Sequence, residues 1–195
     1  MGNNKPSSLK FAILTGTGAF FAAVFFSFFS EIVLPKIQIL ILSFLSLLII
    51  IFVGIIFDMI GLAVAVADEK SFHPKASKKL RGAGQAILMI RNAEKVATIC
   101  NDVVGDICGT VSGVFGVAIV FQIASGNPTW DKSILTMLMT GLVASLTVGG
   151  KAAAKKKALQ DSVTIVGNVG RILAWFENIT GSKIFSFSRR RVRRK

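Results

Sequence analysis

A hydrophobic block occupies residues 37–57 and reads IQILILSFLSLLIIIFVGIIF. It contains no charged residue, and it matches the roughly 20 residues with which a helix crosses the hydrocarbon core of a bilayer. A helix satisfies its backbone hydrogen bonds internally, as a chain segment in lipid must. The block therefore predicts a membrane-spanning helix up to Asp58, and residues 59–67 are apolar enough for the helix to continue to the interface.

Three further apolar runs, at residues 11–30, 96–123 and 133–150, have the length of membrane spans. The first run could also be a cleaved signal peptide, because Lys5 and Lys10 precede it. However, the run is too long for a signal peptide, and no small-residue cleavage site follows it. The run at 96–123 is rich in the small residues that let transmembrane helices pack closely. We expect an all-α fold, an integral membrane helical bundle of about four spans with amphipathic juxtamembrane helices.

The composition argues against a soluble enzyme. Hydrophobic residues make up 52% of the chain and charged residues 17%, whereas soluble domains carry about 25% charged residues. The single histidine, His73, cannot form a multi-histidine zinc site, and the spacing of Cys100 and Cys108 matches no metal or redox motif. No glycine-rich phosphate loop or nucleophile elbow occurs. We expect that the protein is not an enzyme and that both cysteines are reduced.

The formal net charge of +13 is concentrated between the apolar runs and at the C-terminus. Residues 68–95 carry seven Lys or Arg against three Asp or Glu, and residues 189–195 read RRRVRRK. With four spans, both termini and the 68–95 segment lie on one side, and an excess of Lys and Arg marks the cytosolic side. The pattern predicts both termini in the cytosol, and we favour a bacterial cytoplasmic (inner) membrane.

Four regions follow from this pattern: two N-terminal spans at 1–67, a basic juxtamembrane helix at 68–95, two spans at 96–150, and a basic segment at 151–195. The last region contains a predicted amphipathic helix from about Ala158 to Phe176 and an Arg-rich tail. The basic helices fit anionic lipid, although a solvated connecting helix fits 68–95 equally well. We expect no nucleic-acid binding, because the tail has few aromatic residues for base stacking.

Acidic residues interrupt the start of the third predicted span. Asp102 and Asp106 are four residues apart, which places them on one helical face, and Asn101 is adjacent. Carboxylates at membrane depth are costly, and oxygen ligands suit Mg²⁺. We therefore predict a metal site formed by Asn101, Asp102 and Asp106, which Asp58 could join. Alternatively, the acids lie at the cytosolic interface, solvated or paired with Lys95.

From Phe57 onward, the order of features resembles the membrane domain of the CNNM/CorB/CorC family of magnesium transporters. The resemblance covers about 115 residues. It implies a homodimer that binds and transports Mg²⁺ or another divalent cation. The segments that carry it are Gly61-Leu62-Ala63-Val64, Lys78 to Arg91, Asn92-Ala93-Glu94-Lys95, Thr98-Ile99 with Asn101 to Gly109, and Gly149-Gly150-Lys151.

The chain departs from this family at two expected acidic positions. The acid of the first motif is missing around Ile60-Gly61, and Gly150 stands where a Glu is expected. Two functions therefore stay open: a divalent-cation transporter, or a non-transporting membrane scaffold or regulatory subunit that contacts anionic lipid or a protein partner through its basic segments.

Overall fold

A computed structural model describes residues 13, 15–21, 23–25, 28, 39–126 and 129–180. These residues form helices joined by short turns, with no strand in the described part of the chain, so the all-helical prediction is confirmed there. In chain order the elements are α1 (Leu40–Val66), a 3-10 turn (Glu69–Phe72), α2 (His73–Ser77), α3 (Ala83–Arg91), α4 (Ala93–Ala97), a π-helix (Thr98–Gly105), α5 (Asp106–Gly126), α6 (Lys132–Gln160) and α7 (Ser162–Thr180).

Three helices are long and apolar enough to cross a membrane. They are α1, the continuous helix Ala93–Gly126 that joins α4, the π-helix and α5, and α6. They correspond to the predicted spans at 37–57, 96–123 and 133–150, and each helix extends beyond the predicted C-terminal boundary. Of the predicted span at 11–30, residues 13, 15–21, 23–25 and 28 are described and helical, and the others lie outside the described residues. A four-span bundle therefore stays a prediction.

These three helices pack around a shared apolar core. Helix α1 contacts both other spans, and the hydroxyl of Ser43 donates a 3.1 Å hydrogen bond to the Gln122 side-chain oxygen of α5. Close packing and interhelical hydrogen bonds hold helices together in lipid, where hydrophobic burial offers little gain. The buried core side chains are Leu47, Ile51, Ile107, Val111, Phe115, Ile119, Val120 and Met139.

The basic segment at 68–95 does not form one helix as predicted. It consists of the 3-10 turn, α2, α3 and the first residues of α4, and a turn joins α2 to α3. In this turn two residues have left-handed backbone: Lys79, with φ 53°, follows the end of α2, and Gly82, with φ 85°, immediately precedes α3. Pro74 lies in the first turn of α2, where its missing N–H costs no hydrogen bond.

The predicted amphipathic helix at 158–176 is shifted along the chain. Helix α6 continues to Gln160, and α7 begins only at Ser162, after a break at Asp161. The end of α1, the 68–95 segment and α7 pack together into a second apolar cluster, which we call the helical cap. Its buried core consists of Ala63, Val64, Ala67, Phe72, Ala86, Met89, Ala158 and Val166.

Candidate functional site

Asp58 is the only buried carboxylate among the described residues. It lies in the last third of α1, and its side chain is 8% exposed. The rest of helix α1 is almost entirely apolar, so the segment forms a regular helix in which Asp58 is the one acidic residue. A carboxylate at this depth is costly unless another group compensates its charge, so Asp58 marks the candidate site.

Lys151 of α6 supplies the compensating charge. Its Nζ lies 3.9 Å from Oδ1 of Asp58, and its side chain is 23% exposed. Lys151 follows the uncharged part of α6, so its long side chain can reach along the helix surface towards the acid. Gly105 borders this pair: a Cβ there would be in ordinary van der Waals contact with both, 3.6 Å from the Lys151 ammonium and 3.9 Å from the Asp58 carboxylate.

The π-helix Thr98–Gly105 is the third element of the site, beside α1, which carries Asp58, and α6, which carries Lys151. Such segments are rare and occur frequently at functional sites. Asn101 lies in this segment, and its side-chain oxygen packs against Gly61 of α1 so closely that a Cβ on Gly61 would overlap it. Within the described part of the chain, Oδ1 of Asn101 and Oδ2 of Asp58 are buried without a hydrogen-bond partner. The site therefore contains two unsatisfied acceptor oxygens.

The other two predicted metal ligands lie apart from this pair. Asp102 and Asp106 are exposed, whereas Asp58 and the amide oxygen of Asn101 face the interface between α1 and the π-helix. The structure thus brings Asp58 and Asn101 to one interface, but not Asp102 and Asp106. In the described ranges, no group of three or more His, Cys, Asp or Glu residues is arranged to hold a metal ion.

Three residues of the site were missed by the sequence analysis: Lys151, Gly61 and Gly105. Lys151 entered the sequence analysis only within the Gly149-Gly150-Lys151 segment of the family resemblance, and not as a site residue. A signal for it did exist, because an acid within a span requires a cation and Lys151 is the first basic residue after the last apolar run. The resemblance did include Gly61, at the position of the missing acid, but no sequence signal predicts the contacts of Gly61 or Gly105, since these depend on which helix faces them.

The helical cap carries a strongly basic surface. All seven Lys and Arg residues of the 68–95 segment are exposed. Arg91 donates hydrogen bonds of 2.7 and 2.9 Å to the Glu69 carboxylate, and this contact lowers the pKa of Glu69. The other six have no ion pair with any described residue, although Lys75 lies 5.1 Å from the ring centre of Phe72. This surface is available to an acidic partner.

Comparison with known proteins gives no match to this chain, whether with protein-family models, with curated proteins or with solved structures. The resemblance to magnesium transporters therefore stays a prediction from the sequence.

Proposed function

We propose that this chain is a non-transporting membrane scaffold or regulatory subunit whose basic cap contacts an acidic surface. The observation that carries this proposal is the pairing of Asp58 with Lys151 at 3.9 Å. In this proposal the cap lies on the cytosolic side of a bacterial inner membrane, because Lys and Arg concentrate there.

The ion pair argues against a permanent metal site at Asp58. A divalent cation at this carboxylate would lie beside the Lys151 ammonium, and like charges at such distances repel. Asp102 and Asp106, the other predicted ligands, are exposed rather than directed at Asp58. A scaffold requires only that the charge within the bundle is balanced, and Lys151 balances it.

A second candidate function, Mg²⁺ binding and transport, is favoured by a different observation. Oδ2 of Asp58 and Oδ1 of Asn101 are buried without partners, and oxygen atoms are the ligands that Mg²⁺ prefers. Binding would require Lys151 to swing away towards the interface. Asp102 and Asp106 would then serve as entry groups, or as ligands contributed across a homodimer.

Mg²⁺-dependent thermal stability distinguishes the two functions. The full chain is purified in detergent as wild type, Asp58→Asn and Lys151→Met, with Lys155→Met as a control because Lys155 is exposed on the same helix. For a scaffold, millimolar Mg²⁺ raises the melting temperature of none of these proteins more than an equal ionic strength of Na⁺.

The transporter alternative gives a different pattern. Mg²⁺ would stabilise the wild type, stabilise Lys151→Met more strongly because the competing ammonium is gone, and leave Asp58→Asn unchanged. That pattern would overturn the scaffold proposal. Mg²⁺ flux into proteoliposomes would then be measured with the same four proteins.

A further inference from the structure

Helix α7 has two apolar faces, of which the protein covers only one. The buried face contains Val166, Gly170 and Ala174 and packs against α1 and α3 in the helical cap. The opposite face, which we call the α7 stripe, follows the i, i+3, i+4, i+7 spacing of one helix side. Its members are Ile172, Trp175, Phe176 and Ile179, with exposed fractions of 61, 56, 53 and 65%.

The α7 stripe is a continuous apolar surface with aromatic residues at its centre. The rings of Trp175 and Phe176 meet edge to face, with their centres 6.0 Å apart. Contiguous apolar surfaces of this kind mark places where a membrane or a partner binds. Tryptophan is especially frequent at the boundary between lipid and water.

The position of α7 places the stripe near a membrane surface. Helix α6 continues for nine residues from Lys151 to Gln160, which corresponds to about 14 Å of helix. Helix α7 then packs against α1, and Val166 of α7 shares the buried core of the cap with Val64 near the end of α1. It is therefore held at the end of the bundle where α1 and α6 leave the apolar region.

The positive charge around the α7 stripe favours anionic lipid. Arg171 next to the stripe is exposed, as are Lys155, Lys156 and Lys157 on the helix before it. The sequence after α7 ends in RRRVRRK at residues 189–195. Helices with Trp, Phe and Ile on one side and a basic surrounding bind in the plane of an anionic bilayer surface.

We propose that the α7 stripe inserts into the headgroup region of the anionic leaflet, so that α7 lies in the membrane interface beside the three spans. This proposal deepens the proposed function by naming lipid as the acidic surface, and it rests on that function only in placing the cap beside the membrane. The Mg²⁺ experiments test Asp58 and Lys151, so either proposal can fail without the other.

The chain itself provides the probe, because Trp130 and Trp175 are its only tryptophans. Trp130→Phe leaves Trp175 as the single reporter in the full chain, reconstituted into phosphatidylglycerol vesicles with acyl chains brominated near the headgroup. Bromine quenches tryptophan only on contact. We expect quenching of about half of the fluorescence in these vesicles and clearly less in brominated phosphatidylcholine vesicles.

Two variants in the Trp130→Phe background test the stripe directly. Ile172→Ser with Ile179→Ser should lower the bromine quenching of Trp175, because the stripe then loses half of its large side chains. Leu159→Ser is the matched control, since Leu159 is 59% exposed but precedes α7, and it should leave the quenching unchanged. All of these positions are exposed, so thermal unfolding should change little.

Three results would overturn the proposal. Strong quenching of Trp175 by aqueous iodide without quenching by brominated lipid would place the stripe in water. Protection from iodide that disappears on dilution of the protein among excess vesicles would show that a second copy covers it. Equal quenching in the two brominated lipids would remove the anionic selectivity.

Discussion

At the scale of single residues, the pair of Asp58 and Lys151 has the clearest energetic consequence. Removing one partner of a buried ion pair leaves an uncompensated charge, which costs more than the pair itself contributes. The Lys151 side chain is 23% exposed, so in its absence water can partly solvate the Asp58 carboxylate. We expect Lys151→Met to lower the free energy of unfolding by about 1–3 kcal/mol, measured by denaturation in detergent.

The double variant provides the control for this prediction. Asp58→Asn combined with Lys151→Met removes both charges and should recover most of the lost stability. A Lys151→Met protein as stable as the wild type would contradict the prediction, because Asp58 would then be compensated by water alone.

Gly61 permits the closest contact between α1 and the π-helix. A Cβ at this position would overlap the side-chain amide of Asn101, and the Cβ of Cys100 lies 3.0 Å from it. We expect Gly61→Ala to destabilise the protein by about 1–3 kcal/mol, because overpacking displaces the π-helix. Thermal unfolding in detergent measures the effect.

Gly149→Ala is the matched control, since a Cβ at Gly149 meets no atom within 4 Å. Alanine has a higher helix propensity than glycine, and no neighbouring atom hinders its Cβ at this position. This variant should therefore be at least as stable as the wild type. Equal melting temperatures for the two variants would show that Asn101 moves aside without cost.

At the scale of elements, the crossing of α3 and α7 determines whether the cap is assembled. Gly82 has φ 85°, and a Cβ there would lie 2.5 Å from the backbone nitrogen of Arg171. Gly82→Ala should therefore separate α7 from α3 while the spanning helices stay packed. We expect faster amide hydrogen exchange in α7 and faster proteolysis after Gln160, with little change in α1 or α5.

Gly84 lies two residues further on and has open space around it, so Gly84→Ala should leave exchange in α7 unchanged. Uniformly faster exchange throughout Gly82→Ala would contradict the prediction, because the cap and the spans would then unfold as one unit.

At the scale of the whole molecule, the charge distribution predicts the orientation in the membrane. The turn between α5 and α6 is nearly neutral, whereas the 68–95 segment is basic. In a background with Cys100 and Cys108 replaced by Ser, a membrane-impermeant maleimide added outside intact cells should label Thr129→Cys but not Ser77→Cys. Inverted vesicles should give the reverse result.

Ser7→Cys extends this test to the predicted first span. If residues 11–30 cross the membrane, Ser7→Cys labels like Ser77→Cys. Labelling from the outside would show that the N-terminus lies on the opposite side and that the chain crosses the membrane three times.

The sequence predicted the spanning helices well because lipid imposes a simple rule: a helix must be apolar for its full crossing length. The prediction was wrong about the helix boundaries beyond the apolar segments, where this rule no longer applies. The helix α6 continues through Lys151 to Gln160, since Ala and Lys are strong helix formers and no residue there stops it. The i, i+4 rule for Asp102 and Asp106 assumed an α-helix, whereas Asp102 lies in a π-helix that turns the chain differently.

By itself, the sequence of this protein determined the all-helical class of the described residues, three helices long and apolar enough to cross a membrane, and the concentration of basic residues in and after the cap. These are local properties, since each depends on the composition of one continuous segment. Only the tertiary structure decided that Lys151 reaches Asp58 and that Gly61 accommodates Asn101. It alone decided that α7 is covered on one face and bare on the other. Such facts depend on which helix faces which, and small residues far apart in the chain govern that choice without an apolar or charged pattern of their own.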